Sequence, residues 1–237
     1  MTLPVRGYKP WVMVPADGLL EAMQTMTWQK PQGGSAGAST AALMIYVVLL
    51  FVQTEQARIR NLMGVESSYT EHIADISYDD LVHVTGLSRS LIRQGLDRLK
   101  AAGLIEPSGS RQRRRYVITW PPGRWFKLPC RAIMSSDGIA AFKSFTLRSK
   151  HELNALKLFL YLANVRDRFK QYAEASYETI FKRTGIPERD IRRAINVLNA
   201  SGLLARVNRE SDRDITSWGP NMYYLKGYGD LSQPDSK

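Results

Sequence analysis

Two stretches of the chain carry arginine together with amide side chains at the spacing of a helix face. Arginine pairs bidentately with guanine, and asparagine or glutamine with adenine, so such residues can read base edges. Arg93 and Arg192 occupy the same place in the two stretches. The other exposed candidates are Arg89, Ser90, Gln94, Asp97 and Arg98 in the first stretch, and Glu188, Arg189, Arg193, Asn196 and Asn199 in the second.

More arginines follow each of these faces. They are Arg111, Arg113, Arg114 and Arg115 after the first, and Arg206 and Arg209, interspersed with acidic residues, after the second. The alternative interpretation is that such arginines merely keep a surface soluble. The repetition in register and the net charge of +11 favour contact with an anionic partner, and we expect double-stranded DNA.

Both faces belong to a block that occurs twice. Ser77 to Ile105 aligns without gaps on Ser176 to Leu204, at a shift of 99 residues and with ten identical positions. The similarity extends upstream, because Trp11 to Pro15 mirrors Trp125 to Pro129 and the pair Ala42-Leu43 mirrors Ala155-Leu156. We therefore predict an internal duplication, in which each unit has an extended segment, a long apolar helix and the block.

The block itself predicts a helix, a tight turn, a second helix and two strands joined by a loop. Ser77 and Ser176 are N-cap residues of the first helix, and Gly86 and Gly185 allow the turn. The second helix is predicted to begin after Ser88 or Pro187, to bury Leu87, Leu91, Ile92, Leu96 and Leu99 in the first copy, and to end at Gly103 or Gly202.

The repeated pattern, from Thr85-Gly86-Leu87 to Gly103-Leu104-Ile105 in the first copy, resembles the helix-turn-helix core of winged-helix DNA-binding proteins. The tandem arrangement is similar to that of plasmid and phage replication initiators and of mobile-element transcription regulators. The resemblance implies that the second helix of each block enters the major groove and that the wing touches the DNA backbone or minor groove.

These observations predict a mainly α protein with small β-hairpin wings, in the α+β class, divided into winged-helix domains at 1–120 and 121–237. The faces differ at most positions, so we expect two unlike half-sites in adjacent major grooves. The chain would act as a monomer or homodimer on DNA, with other replication or transcription proteins as further partners. The alternative is a winged-helix scaffold for protein contacts in a DNA-processing complex.

Other chemistry finds little support in the residues. Gly33 to Thr40 lacks the Gly-Lys-Ser/Thr ending of a phosphate-binding loop and is predicted to be a flexible linker. The histidines, His72, His83 and His151, lack metal-ligand spacing, which disfavours a rolling-circle nicking enzyme. Cys130 is predicted to be a core residue, and the aromatic residues Trp11, Trp125, Tyr223 and Tyr224 to pack in cores. We expect no enzyme, no metal and no cofactor.

The location of the protein is predicted from composition. The first fifteen residues carry prolines and charges where a signal peptide needs an apolar core. The apolar run from Ala41 to Val52 is shorter than the roughly 20 residues that cross a bilayer, and it predicts a buried helix. A single cysteine suits a reducing compartment. We expect a soluble cytoplasmic protein associated with the nucleoid.

Overall fold

The computed structural model describes residues 10–29, 35–62, 65–109, 114–135, 137–167, 169–208 and 220–229. Within them the fold is mixed α+β. The helices are α1 (Asp17–Thr25), α2 (Ala38–Val52), α3 (Tyr78–Thr85), α4 (Arg89–Ala101), α5 (Ala140–Lys143), α6 (Lys150–Val165), α7 (Tyr177–Thr184) and α8 (Glu188–Ala200). The strands are β1 (Trp11–Pro15), β2 (Thr54–Leu62), β3 (Val65–Asp75), β4 (Ile105–Gly109), β5 (Arg114–Ile118), β6 (Trp125–Pro129), β7 (Met134–Ser135), β8 (Gly138–Ile139), β9 (Ala173–Ala175), β10 (Leu204–Asn208) and β11 (Asn221–Leu225).

The same succession of elements occurs twice. The first unit runs α2, β3, α3, α4, β4, β5 and the second runs α6, β9, α7, α8, β10, β11. The last strand of each unit lies between the two other strands of its succession, since the sheet orders are β2-β3-β5-β4 and β10-β11-β9. The predicted pair of helices and the strand hairpin are therefore present in both units.

Local hydrogen bonds explain why α3 and α7 begin and end where they do. The Ser77 hydroxyl accepts from the Asp80 amide, and the Ser176 hydroxyl accepts from the Thr179 amide, as the cap prediction requires. Gly86 and Gly185 end the helices in the left-handed region, with φ of 72° and 70°. The sequence prediction of these four positions is confirmed.

A threonine fixes the turn between the two helices in each unit. The Thr85 hydroxyl donates to the Leu81 carbonyl at 2.5 Å and accepts from the Leu87 amide at 3.2 Å. The Thr184 hydroxyl makes the matching pair, to the Ile180 carbonyl at 2.6 Å and from the Ile186 amide at 3.2 Å. A buried side chain therefore supplies hydrogen bonds that the turning backbone would otherwise lack.

The long helices α2 and α6 lie at the centre and pack against each other. Every residue of α2 from Ala38 to Leu50 is buried, which confirms the predicted buried helix. Ser39 and Thr40 are buried in its first turn, so this end of the predicted flexible linker is helix instead. The apolar content of the run explains the difference, because a helix that is apolar all round must be covered on all sides.

The two predicted extended segments form one antiparallel pair. Strand β1 pairs with β6 over their full lengths, from Trp11 opposite Pro129 to Pro15 opposite Trp125. Two backbone bonds continue this ladder, from the Ala16 amide to the Arg124 carbonyl and from the Cys130 amide to the Pro10 carbonyl. Cys130 is buried as predicted, but Trp125 is half exposed, at 50%, and its assignment to the core is wrong.

The first unit also contains a long hairpin that the sequence pattern does not predict. Strands β2 and β3 pair along nine positions, and β3 continues beside β5 from His72 to Asp75. His72 stacks on Trp120 with ring centroids 3.8 Å apart, which attaches the base of the hairpin to the end of β5. The second unit has the short β9 in the corresponding place. The β content therefore exceeds the predicted pair of small wings.

Candidate nucleic-acid interface

The arginine-bearing faces of α4 and α8 point away from the core. In α4 the buried residues are Ile92, Gly95, Leu96 and Leu99, and in α8 they are Asp190, Ile191, Ala194, Ile195 and Leu198. These inner faces pack on α2 and α6 respectively. Because the opposite side of each helix remains open, Arg93 and Arg192 are both exposed, as are Arg189, Arg193 and Asn196. The structure thus gives a macromolecule access to these five predicted residues.

Not all predicted residues of α4 are equally available. Arg89 is exposed and pairs with the Asp79 carboxylate of α3, and Ser90 is exposed beside it. Gln94 is half buried, accepts from the Ser35 amide at 2.7 Å and donates to the Ser90 hydroxyl at 3.2 Å. Its oxygen and one amide hydrogen are therefore already used within the chain, a commitment that the helical spacing did not predict. Arg98 is half buried as well.

At the corresponding place in α8, the contacts are charged. Arg193 lies 3.4 Å from the His151 imidazole of α6, between its Nη1 and the ring Nε2. Next to it, the buried Asp190 carboxylate accepts from the Lys150 ammonium at 2.7 Å, and this bond lowers the pKa of Asp190. Burial lowers the pKa of His151, which favours the neutral ring beside two cations. An ion pair between Lys150 and Asp190 therefore attaches the buried side of α8 to α6.

Sequence reasoning missed the role of Asp190. The signal was available, because Asp190 replaces Leu91 in the aligned block and falls on the apolar side of an otherwise amphipathic helix. A carboxylate there requires a cation from a neighbouring element. Only the fold identifies that cation as Lys150, which is 40 positions away.

The described arginines of the predicted first wing lie on strand β5. The Arg114 guanidinium stacks over the Tyr78 ring at 4.3 Å, and the Arg115 Nε donates to the Asp75 carboxylate at 3.3 Å. Arg114 is exposed and Arg115 is half buried. The structure thus brings both side chains toward the start of α3. Arg111 and Arg113, predicted to belong to the same wing, lie outside the described residues.

One arginine of the predicted second wing lies among the described residues. Arg206 of β10 is exposed and stacks over the Tyr224 ring at 4.0 Å. Tyr224 in turn contacts Tyr172, with ring centroids 5.3 Å apart, so the predicted core role of Tyr224 is met only in part. Arg209 lies outside the described residues, as do the acidic residues that accompany it.

A buried lysine of α6 forms a hydrogen bond to the C-terminal end of α7. Lys157 of α6 is 3% exposed, and its ammonium donates to the Thr184 carbonyl at the C-terminal end of α7 at 3.2 Å. Burial lowers the pKa of Lys157 to about 8. The negative end of the α7 dipole favours a cation at this point. The aligned position in the first unit is Met44, which is fully buried.

Among the described residues, no group of three or more histidine, cysteine or acidic side chains gathers in a way that could hold a metal ion. No helix in the same part of the chain combines the length and apolar content that a membrane crossing needs. What the two faces offer chemically is guanidinium, amide and hydroxyl donors on exposed helices, flanked by cationic strands.

Comparison with known proteins found no match for this chain among protein-family models, curated proteins or solved structures. Interpretation of the interface therefore rests on its own geometry and charge.

Proposed function

We propose that this chain binds double-stranded DNA sequence-specifically through two winged-helix modules that arose by internal duplication. The observation that carries the proposal is the repeated succession of elements, each with an arginine-bearing second helix whose outer face is open. The sheet orders β3-β5-β4 and β9-β11-β10 supply a strand hairpin next to each such helix. This is the arrangement in which one helix reads bases and a hairpin holds the backbone.

In this proposal α4 and α8 each enter a major groove. Arg93 and Arg192 reach guanine edges, since arginine makes the commonest bidentate contact there. Asn196 and Arg189 extend the reading by α8, and Arg89 that by α4. Arg114, Arg115 and Arg206 contact phosphates or the adjacent minor groove. Gln94 turns to the DNA only if it gives up its bonds to Ser35 and Ser90.

The charge of the chain supports this assignment. A net charge of +11 attracts a polyanion at long range, and helix faces that carry several arginines concentrate it. If about six phosphates are neutralised, the logarithm of the affinity falls with the logarithm of salt concentration at a slope of about −5. Binding to the nucleoid follows from the same attraction.

The biological role we propose is the control of a mobile element, either by transcriptional regulation or by initiation of replication. The target distinguishes the two. Iterated sites beside an origin support initiation, whereas a single operator over a promoter supports repression.

The test is selection of bound fragments from random-sequence DNA, followed by mobility shifts on the selected site. Replacement of both Arg93 and Arg192 by alanine is expected to weaken specific binding by a few kcal/mol, because each bidentate contact contributes about 1–3 kcal/mol. The matched control, Arg58→Ala with Lys143→Ala, removes the same charge from β2 and α5. Unchanged affinity of the first variant, or no selected sequence at all, would contradict the proposal.

A further inference from the structure

The β1–β6 pair has a register that maps onto itself when the two units are exchanged. The segments correspond at a shift of 114 residues, so the counterpart of Met13 is Lys127. These two residues face each other at the centre of the ladder. The bonds at its ends are also counterparts, from the Ala16 amide to the Arg124 carbonyl at 2.9 Å and from the Cys130 amide to the Pro10 carbonyl at 3.1 Å. Such reciprocity is the mark of a two-fold interface.

The remaining contacts between the units repeat this reciprocity. Helix α1, which follows β1, packs on α7 of the second unit, and strand β8, which follows β6, packs on α3 of the first. The points of contact are equivalent. Gln24 of α1 donates to the Arg183 carbonyl at 3.3 Å, while Gly138 of β8 lies against the backbone of Val84, the residue aligned with Arg183.

At Gly138 this approach is close enough to exclude a side chain. A Cβ built there would lie 2.5 Å from the Val84 carbonyl oxygen, and the φ of Gly138 is 96°. The long helices follow the same pattern. Helix α2 contacts its counterpart α6, and α2 packs on β1 as α6 packs on β6. An approximate half-turn therefore relates the two units, about an axis through the Met13–Lys127 pair.

From this relation, and resting on the proposed DNA binding, we infer that the target consists of two half-sites in opposite orientation whose sequences differ. A half-turn reverses the direction in which a recognition helix meets the duplex, which is why dimeric helix-turn-helix proteins bind palindromes. Here the two helices belong to one chain, and their side chains need not match. One chain would thus read an imperfect inverted repeat in a single orientation. A homodimer of either unit would bind the same repeat equally well in both orientations.

The exposed residues of α4 and α8 determine which base pairs of the inverted repeat are the same in both half-sites. Arg93 and Arg192 are identical and aligned, so the base pairs that they contact occupy symmetric positions in the two half-sites. The aligned pairs Arg89 and Glu188, Ser90 and Arg189, Gln94 and Arg193, and Asp97 and Asn196 differ, and the half-sites diverge at the base pairs next to these residues.

The first test uses the unmodified chain. Three duplexes are made from the two half-sites obtained by selection, all at the selected spacing. In one duplex the half-sites point in the same direction. In the other two they point in opposite directions, toward each other or away from each other. One opposite arrangement is expected to bind at least about tenfold more tightly than the same-direction duplex, because only there can both helices contact base edges at the same time. Tightest specific binding to the same-direction duplex overturns the inference but leaves the proposed function intact. Failure to select any specific sequence overturns the proposed function itself.

The second test makes the two faces alike. A variant with Glu188→Arg, Arg189→Ser, Arg193→Gln and Asn196→Asp gives α8 the outer residues of α4 at four aligned positions. Selection with this variant is expected to return an inverted repeat that is palindromic at the base pairs next to the four changed positions, with the bases of the first half-site there. Return of a direct repeat overturns the inference. The control is Phe181→Val, which lies outside α8 and gives α7 the residue found at the aligned position of α3. This variant is expected to select the original asymmetric site.

Discussion

The central helices α2 and α6 occupy equivalent places, yet they stabilise their units with different chemistry. Helix α2 is apolar and packs so closely on α4 that Gly95 faces the backbone of Ala41. Helix α6 buries Lys157, and also Glu152, whose carboxylate accepts from the Thr146 amide at 2.8 Å and hydroxyl at 2.9 Å. Equivalent places in the two units therefore have equivalent helices, but only α6 buries charged groups, and each of these has a hydrogen-bond partner nearby.

The largest expected effect is a pH dependence of the free energy of unfolding that comes from α6 and has no counterpart in α2. Between pH 8 and the ordinary lysine value of 10.5, Lys157 is mostly neutral in the folded state and protonated in the unfolded state, so its own contribution to the free energy of unfolding rises with pH. The rise amounts to about 3 kcal/mol at most, since one pKa unit corresponds to about 1.4 kcal/mol. Lys157→Met, which installs the residue of the first unit, is expected to abolish it.

Urea unfolding at pH 7, 8, 9 and 10 measures this effect. Lys143→Met on the exposed side of α5 is the control and leaves the pH dependence unchanged. An equal rise with pH in the Lys157 variant would contradict the assignment.

The next effect concerns how closely α4 approaches α2. A Cβ at Gly95 would lie 2.7 Å from Ile45 Cδ1 and 3.1 Å from the Ala41 backbone. Gly95→Ala is expected to lower the free energy of unfolding by about 2 kcal/mol, because overpacking against backbone outweighs the gain in helix propensity of about 1 kcal/mol.

The second unit already has alanine at this place, so Ala194→Gly provides the comparison. It is expected to cost about 1 kcal/mol through helix propensity. Both variants are compared by urea unfolding at pH 7. A Gly95→Ala protein more stable than the parent would show that α4 and α2 are not in close contact.

A smaller difference separates the helix caps. Ser77 takes part in a capping box with Asp80, whereas the Ser176 hydroxyl accepts from the Thr179 amide without such a reciprocal bond. Ser77→Ala is expected to cost about 1 kcal/mol and Ser176→Ala about 0.5 kcal/mol. Thermal unfolding of the two variants measures the difference, with Asp80→Ala testing the box alone. Equal losses at the two serines would argue against a contribution from Asp80.

The smallest effect compares the strand pairs proposed as wings, β4–β5 and β10–β11. Arg114→Ala is expected to reduce the slope of affinity against salt by about 1, as removal of one phosphate contact does. Arg206→Ala is expected to reduce it less, because its strand is followed in sequence by both acidic and basic residues. Titrations at four salt concentrations measure the slopes, and Arg58→Ala on β2 is the control. A larger change from Arg206 would reverse the proposed ranking of the wings.

Much of the scaffold could be predicted because its signals are local. Caps, left-handed glycines and the apolar run of α2 depend on residues a few positions apart, and the structure has them where the aligned block predicts them. The exposure of Arg93 and Arg192 follows from the amphipathic pattern of their helices.

The remainder depends on contacts between distant segments. No local signal shows that Gln94 bonds to the Ser35 backbone, or that Lys150 neutralises Asp190. The β2–β3 hairpin was missed because its residues lack a clean alternation of apolar and polar side chains, so that the stretch resembles a connection. The pairing of β1 with β6 could not be derived either, since similarity between two strands does not predict that they are neighbours.

That pairing has a consequence for how the polypeptide acquires its structure. During synthesis, β1 emerges more than a hundred residues before its partner β6, so it remains an unmatched strand while the whole first unit is made. Contacts so remote in sequence slow the search for the native state and leave a strand edge open to aggregation meanwhile. A chain cut after residue 120 would keep that edge permanently, and separate expression of the first unit would therefore favour insoluble material over a functional fragment.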